Sequence, residues 1–187
     1  MAAIDNHASP HGLQPSGGDW LVASALNERL EEEIRRAERH GTSLSCLLVA
    51  IDNLEDMAHE HGRELREETL AYVATALRRE LRRFDRIGRT SDTELFIVLP
   101  GADGPRGEMV ARRVIDRLRM IKVEARGARR PLQVSVGLAA WRDETRGEDL
   151  VIRTRFASQR ELDDAPLPFA GARSGDAGGL RAVAGEG

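Results

Sequence analysis

The feature that most constrains the fold is a nearly continuous apolar run of eight residues, Leu44–Ile51, with the sequence LSCLLVAI. It is too short for a helix that spans a domain, and its apolar residues do not alternate with polar ones, so it predicts a strand covered on both faces. A second run, Glu94–Pro100, has the same character and stops at a proline. Residues 132–138 alternate between apolar and polar side chains and predict a third strand.

Helical periodicity fills the intervals between these strands. The first predicted helix has a candidate N-cap at Asp19 and a C-terminal glycine at Gly41, and apolar residues form a stripe along one of its faces. Its apolar members are Val22, Leu26, Leu30, Ile34 and Ala37. The second stripe comprises Leu70, Val73, Ala74, Leu77, Leu81 and Phe84. A third helix starts near Pro105, and its inward positions are Val110, Val114, Leu118 and Ile121. A fourth, more weakly periodic helix is predicted over residues 147–162. The order of helices and strands along the chain predicts an α+β fold in which helices cover a mixed sheet.

The length and composition fit one globular domain. The chain has 187 residues, of which 41% are hydrophobic and 32% charged, enough apolar side chains for a single core. Residues 1–18 and 163–187 are rich in Gly, Ala, Pro and Ser and lack periodicity, so they are predicted to be flexible tails. The ordered domain is therefore predicted to span residues 19–162.

Charge and residue usage exclude several classes of function. A net charge of −3 gives a nucleic-acid partner no electrostatic support, and seven aromatic residues are too few for a base-stacking platform. One cysteine excludes a disulfide framework and a cysteine-based zinc site, and Cys46 is predicted to be inert core. No apolar run approaches the roughly 20 residues of a membrane span. We expect a cytoplasmic protein without a membrane or nucleic-acid partner.

Several segments in a fixed order carry a family resemblance. They are residues 36–52, the spaced Leu70, Val73 and Ala74, the block 81–89, and the strands 96–100 and 134–139. Together they resemble the GGDEF domain of the diguanylate cyclase family. The resemblance implies a palm-like, ferredoxin-like sheet related to nucleotide cyclases, and an activity that condenses two GTP molecules into cyclic di-GMP.

The signature itself departs from the family pattern. Where the family carries Gly-Gly-Asp/Glu-Glu-Phe, this chain reads Ser91-Asp92-Thr93-Glu94-Leu95. The glycines let a hairpin backbone approach a nucleotide closely, so Ser91 and Asp92 are expected to crowd the guanosine position. Thr93 replaces a carboxylate that the family uses to hold metal. This substitution defines a degenerate GGDEF domain.

The second metal carboxylate is missing too. The first strand of the family ends in Asp-x-Asp, and here these positions are Ala50, Ile51 and Asp52. Magnesium is held by carboxylates together with substrate phosphates, and only Asp52 and Glu94 are retained. We therefore predict no metal site and no cofactor. Magnesium would be required only if the domain kept a residual cyclase activity.

The substrate contacts that the resemblance implies are weakened in the same direction. Glu55 stands at the position of the family's phosphate-facing lysine and would repel a triphosphate. Ala58 stands at the position of the asparagine that reads guanine. A further guanine-contacting aspartate corresponds to Glu67, a partial match. The family's closing lysine segment has no counterpart after Leu150. These losses predict a catalytically inactive domain.

One binding element of the family is retained. Many GGDEF domains bind their product at an Arg-x-x-Asp motif ahead of the signature, and Arg82 and Asp85 stand in that register. A supporting arginine aligns with Arg113. An arginine fork can read the O6 and N7 edge of guanine, a contact worth about 1–3 kcal/mol of discrimination. Alternatively, Arg82 and Asp85 form a solvated pair with i,i+3 spacing, and Arg113 is an ordinary exposed helix residue.

Other polar residues have simpler alternatives. Asp52 can be a structural cap where the strand meets the helix, and Glu94 can be a hairpin residue. His59 and His61 are two positions apart and point to different sides of a helix, which disfavours a metal site. Trp141 is equally compatible with packing or with an interface.

Three functions follow from these observations. The first is a cyclase-inactive domain that acts as a cyclic di-GMP receptor or signalling interaction module. The second is a residual diguanylate cyclase, and the third is a protein-interaction domain that binds no nucleotide. A protein partner or a homodimer is expected. Val22, Leu26 and Leu30 on the first helix are a candidate docking face, unless that face packs on its own sheet.

Overall fold

The fold is described by a computed structural model over residues 20–125, 127–142 and 146–158. The predicted tails, Asp19 and the segment 159–162 lie outside the described residues. The helices are α1 (Ala23–His40), α2 (Leu54–His61), α3 (Arg63–Arg78), α4 (Gly104–Arg119) and α5 (Gly147–Ser158). The strands are β1 (Leu44–Ile51), β2 (Arg86–Arg89), β3 (Glu94–Pro100), β4 (Lys122–Ala125), β5 (Ala128–Pro131) and β6 (Val134–Ala140).

A four-stranded sheet with the order β2-β3-β1-β6 forms the centre of the fold. Each neighbouring pair is antiparallel, and an isolated parallel bridge joins Leu21 to Gly88. Because β3 is inserted between β1 and β2, the topology is the split βαβ arrangement of ferredoxin-like folds. The predicted α+β architecture is confirmed. The central position of β1 explains why its sequence is almost continuously apolar.

Helices cover both faces of this sheet. One face packs against α2, α3 and α4, and its core includes Leu47, Ile97 and Leu138 from three neighbouring strands. The opposite face packs against α1 and α5, and its core includes Leu48 and Phe96. Odd and even positions of β1 therefore enter different cores, as the alternation of side chains along a strand requires.

The first helix is held by the sheet of its own chain. Leu26 and Leu30 are fully buried in the core beneath α1, so the prediction that they form a docking face with Val22 is wrong. A Cβ at Gly88 would lie only 2.8 Å from Leu26 Cδ2, which shows how closely α1 approaches β2. Asp19 is not the N-cap, because the helix begins at Ala23 with Val22 at that position.

The structure differs from the sequence prediction in several further places. α2 was not predicted, and the third strand begins at Val134, two residues after its predicted start. The second apolar stripe ends with α3 at Arg78, and Phe84 is 48% exposed, because the chain turns away from the helix before β2. The β4–β5 hairpin was not predicted; it turns at Gly127, whose φ of 78° favours glycine. Cys46 is fully buried, as predicted, and Trp141 packs beside the core under α1. Among the described helices, none has the length and apolar character needed to cross a membrane.

Candidate functional site

Three neighbouring strands surround the position at which the family resemblance places a cation. Ala50 of β1 lies opposite Glu94 of β3 on one side and opposite Ser135 of β6 on the other. Asp52 follows β1, and its Oδ2 accepts a hydrogen bond of 2.7 Å from the Ser135 hydroxyl. Its backbone N–H donates to the carbonyl of Gln133 at 2.8 Å. Asp52 thus links the end of β1 to β6. It does not cap the following helix, because the N-cap of α2 is Asn53, so the alternative that Asp52 is a cap is wrong.

The Glu94 carboxylate is paired with a guanidinium. Its Oε2 accepts a hydrogen bond of 2.8 Å from Nη2 of Arg155, which arrives from α5. The Thr90 hydroxyl lies 3.5 Å from the same oxygen. The Glu94 side chain is only 19% exposed, whereas that of Arg155 is 44% exposed. Arg155 was missed in the sequence, because nothing local predicts its contact with a residue so distant along the chain.

The donors around Ala50 do not fit a divalent cation. Magnesium prefers carboxylate and other oxygen ligands in an octahedral arrangement. Here one position is a methyl group, and the carbonyl of Thr93 accepts the N–H of Ile51 at 3.0 Å. Within the described ranges, no group of three or more His, Cys, Asp or Glu side chains could hold a metal ion. His61 lies 3.5 Å from the Glu60 carboxylate next to it in sequence.

The β2–β3 hairpin is joined to α3 by a forked ion pair. Nη1 and Nη2 of Arg89 contact the two carboxylate oxygens of Glu67 at 2.6 and 3.1 Å. Nη2 also donates to Asp92 Oδ1 at 2.8 Å. The hydrogen bonds from Arg89 hold the pKa of Glu67 below its usual range, and the same contacts raise the pKa of Arg89.

A second arginine extends this contact to α2. Nη1 of Arg66 lies 3.1 Å from Glu55 Oε2 and 3.2 Å from Asp92 Oδ2. Asp92, at the position of the second signature glycine, therefore bridges two guanidinium groups. We call Glu55, Glu67, Asp92, Arg66 and Arg89 the hairpin charge cluster. Its three carboxylates and two guanidiniums contact one another on the side of the domain where the resemblance places a nucleotide.

The three predicted product-binding residues line one concave pocket of about 360 Å³. Arg82 and Asp85 enter it from the turn between α3 and β2, and Arg113 enters it from α4. Sequence analysis missed two further arginines of α4 in the same lining, Arg106 and Arg112. Arg106 and Arg113 are seven positions apart, a helical spacing that could have revealed the first of them. We call this cavity the arginine pocket.

Within the arginine pocket, Asp85 is a buried structural acid. It is only 3% exposed, and its Oδ2 accepts the backbone N–H of Arg82 at 2.7 Å. Burial raises the pKa of Asp85, and the hydrogen bond from Arg82 opposes that shift. The contact between the two residues thus involves the Arg82 backbone, which leaves the guanidinium at the exposed rim, 5.9 Å from the centre of the Phe84 ring.

The arginines of α4 have partners of different strength. Arg112 Nη2 lies 2.7 Å from Glu108 Oε1, a charged pair on the exposed face of the helix. Arg113 Nη2 donates to the backbone carbonyl of Glu80 at 3.2 Å, which is a neutral acceptor. This hydrogen bond to a carbonyl does not neutralise the positive charge that the Arg113 guanidinium brings to the pocket.

Comparisons with known proteins agree with this fold. A family model described as "Diguanylate cyclase, GGDEF domain" matches residues 23–161. The diguanylate cyclase DgcP of Pseudomonas aeruginosa is 27% identical over 137 residues, which cover 73% of this chain but 20% of the length of DgcP.

Solved structures show the same architecture. Diguanylate cyclase SiaD of Pseudomonas aeruginosa, solved in complex with its activator SiaC, is 27% identical with a TM-score of 0.68; the match covers 74% of this chain and 53% of SiaD. The GGDEF domain of DgcB from Caulobacter crescentus, solved in complex with c-di-GMP, is 17% identical with a TM-score of 0.71, covering 80% and 91% of the two chains. The chain belongs to the GGDEF domain family of diguanylate cyclases.

Proposed function

We propose that this domain has lost the cyclase reaction and acts as a cyclic di-GMP receptor. The observation that carries the proposal is the arginine pocket, in which Arg82, Asp85 and Arg113 converge from two elements. Its volume of about 360 Å³ lies within the roughly 300–1,000 Å³ typical of small-molecule sites. The bound state of DgcB supports the choice of ligand, since that GGDEF domain was solved with c-di-GMP.

The chemistry of the arginine pocket suits a guanine nucleotide with phosphodiester groups. Planar guanidinium groups can donate paired hydrogen bonds to guanine or to phosphate oxygens, and they can stack on a purine. Arg82 is well placed for this task, because its backbone secures Asp85 and its side chain lies at the rim. Asp85 is buried and its carboxylate accepts the backbone N–H of Arg82, so we assign this side chain to shaping the turn and the pocket floor.

Loss of the cyclase reaction is supported by the opposite end of β3. Condensation of two triphosphates requires divalent cations that neutralise the phosphates and activate the attacking hydroxyl. Here Glu94 is paired with Arg155, Asp52 with Ser135, and Ala50 offers no oxygen ligand from its side chain. In the hairpin charge cluster, Arg66 already pairs with Glu55 and Asp92, so this guanidinium is engaged by carboxylates of its own chain and is not free for a triphosphate.

Calorimetric titration with cyclic di-GMP tests the receptor function. We expect micromolar or tighter binding, about −8 kcal/mol, and at least a roughly tenfold loss of affinity in Arg82→Ala. The substitution keeps the backbone N–H that binds Asp85, so the turn is preserved. Arg129→Ala, on β5 outside the pocket, removes the same charge and is expected to bind like the wild type. Absence of binding at high ligand concentration would eliminate the receptor function.

Incubation with GTP and magnesium or manganese tests the loss of catalysis separately. We expect no cyclic di-GMP above the background of a reaction without protein. Steady turnover that Glu94→Gln abolishes would overturn the assignment and establish a residual diguanylate cyclase.

Two exposed apolar side chains favour signal output through a protein partner. Phe84 is 48% exposed beside Arg82, and Met109 is 61% exposed at the lining of the arginine pocket. Ligand bound in the pocket would contribute to the same surface. The complex of SiaD with its activator SiaC is a precedent for a relative that binds a protein. Binding of such a partner without any nucleotide is the third function, and the cyclic di-GMP titration distinguishes it from the first.

A further inference from the structure

We propose that Arg155 is a built-in counter-ion that occupies the Glu94 carboxylate and excludes a divalent cation from the Ala50 position. The inference rests on the proposed loss of catalysis and explains how a retained acidic residue is tolerated there. It assigns a function to a residue of α5 that the sequence analysis did not single out.

Burial of Glu94 creates the need for a counter-charge. Its side chain is 19% exposed and lies beside the methyl group of Ala50, so much of its hydration is lost. An ionised carboxylate removed from water requires a compensating charge or hydrogen bonds. The Arg155 guanidinium supplies both at 2.8 Å, whereas the Thr90 hydroxyl contributes a weaker contact at 3.5 Å.

The guanidinium is delivered by an anchored helix. Leu150 and Thr154 of α5 are fully buried, and the Thr154 hydroxyl donates to the Leu150 carbonyl. Arg153 Nη2 donates to the carbonyl of Ala140 at the end of β6, at 2.6 Å. Arg155 therefore starts from a fixed backbone position, which reduces the conformational entropy lost when its side chain pairs with Glu94.

A guanidinium and a divalent cation compete for this carboxylate. Two cations within a few ångströms repel each other, most strongly where water is partly excluded. Restoring an aspartate at position 50 is therefore expected to create a cation site only partly, because Arg155 remains next to both carboxylates. Removal of the Arg155 charge should complete the site.

Manganese titration of engineered variants tests this competition. We expect Ala50→Asp/Arg155→Gln to bind Mn²⁺ at least about tenfold more tightly than Ala50→Asp alone. Ala50→Asp/Arg129→Gln is the matched control, since Arg129 belongs to an exposed ion pair with Glu124 on a separate hairpin. The control should bind within about twofold of Ala50→Asp, because distant exposed charges are screened. Equal affinities for all three variants would overturn the proposal.

A second measurement avoids the buried substitution, in case Ala50→Asp does not fold. Terbium luminescence titration of Arg155→Gln is expected to show at least about fivefold tighter Tb³⁺ binding than the wild type, because the trivalent ion gains the Glu94 carboxylate. Adding Glu94→Gln should remove the gain. An unchanged Tb³⁺ affinity in Arg155→Gln, or a gain that survives Glu94→Gln, would refute the counter-ion role. Neither titration contains cyclic di-GMP, so failure of the receptor function would be recognised separately.

Discussion

The arginine side chains near the two ends of β3 have different partners. Where the strand begins, Arg155 is paired with Glu94, and Arg66 and Arg89 are paired within the hairpin charge cluster. Where the strand ends, four arginines line the arginine pocket, and the acid among them, Asp85, is buried against backbone. At the first end, carboxylates of the same chain already engage the guanidinium groups. The second retains positive charge that a phosphate-bearing ligand can neutralise.

This difference shows that loss and retention of function can be separated within one small domain. The ends of a strand in a covered sheet are independent sites, because the core between them is fixed by Phe96 and Val98 on one face and Ile97 on the other. Ion pairs at one end therefore need not disturb a pocket at the other. The comparison makes different predictions for acids at the two ends.

The largest expected effect comes from Asp85→Ala in the arginine pocket. The substitution removes a hydrogen bond of 2.7 Å from the part-buried Arg82 N–H to a carboxylate, so we expect the free energy of unfolding to fall by about 1–3 kcal/mol. Urea denaturation measures the change. Asp92→Ala is the matched control, because its side chain is 63% exposed despite two guanidinium contacts, and about 0.5 kcal/mol or less is expected. Equal losses would contradict the distinction between a structural acid and a surface acid.

The pH dependence of stability should have opposite signs at the two ends. The pKa of Glu67 is lowered by Arg89, so its stabilising contribution is present at neutral pH and is lost as the pH falls through that lowered value. The pKa of Asp85 is raised by burial, so its protonation favours the folded state as the pH falls through that raised value.

Urea denaturation between pH 7 and pH 3 measures both contributions. Relative to the wild type, Glu67→Gln is expected to lose less stability on acidification. Asp85→Asn should lose more, because it lacks the proton uptake that favours the folded state. Parallel pH profiles for the two variants would show that the shifts do not have opposite directions.

The sequence identified elements more readily than contacts. It located β1 and β3 to the residue, because an inner strand covered on both faces requires a nearly continuous apolar run. The spacing of Arg82, Asp85 and Arg113 came from the family register, and the structure brings these residues to one pocket. Helical spacing extended the second stripe too far, since it contains no information about the turn that Asp85 stabilises.

Partnerships between charged residues could not be predicted. Asp92 and Glu55 were expected to crowd and repel a nucleotide, but the sequence gives no sign that Arg66 joins them. Arg155 and Glu94 are 61 positions apart, so their contact depends on how α5 packs across the sheet. Such pairs depend on tertiary distances, whereas hydrophobic periodicity reports only local geometry.

A small effect on stability is expected from Arg155→Gln. A partly exposed ion pair contributes about 0.2–1 kcal/mol, so a double-mutant cycle with Glu94→Gln should give a coupling energy in that range at low salt. The coupling should diminish at 1 M salt, where charges are screened beyond about 3 Å. A coupling of zero at low salt would show that the two side chains do not interact in solution. A small coupling together with a tenfold change in cation affinity is the combination that a counter-ion requires. Arg155 acts by occupying the Glu94 carboxylate, whereas the buried residues Leu150 and Thr154 of α5 stabilise the fold.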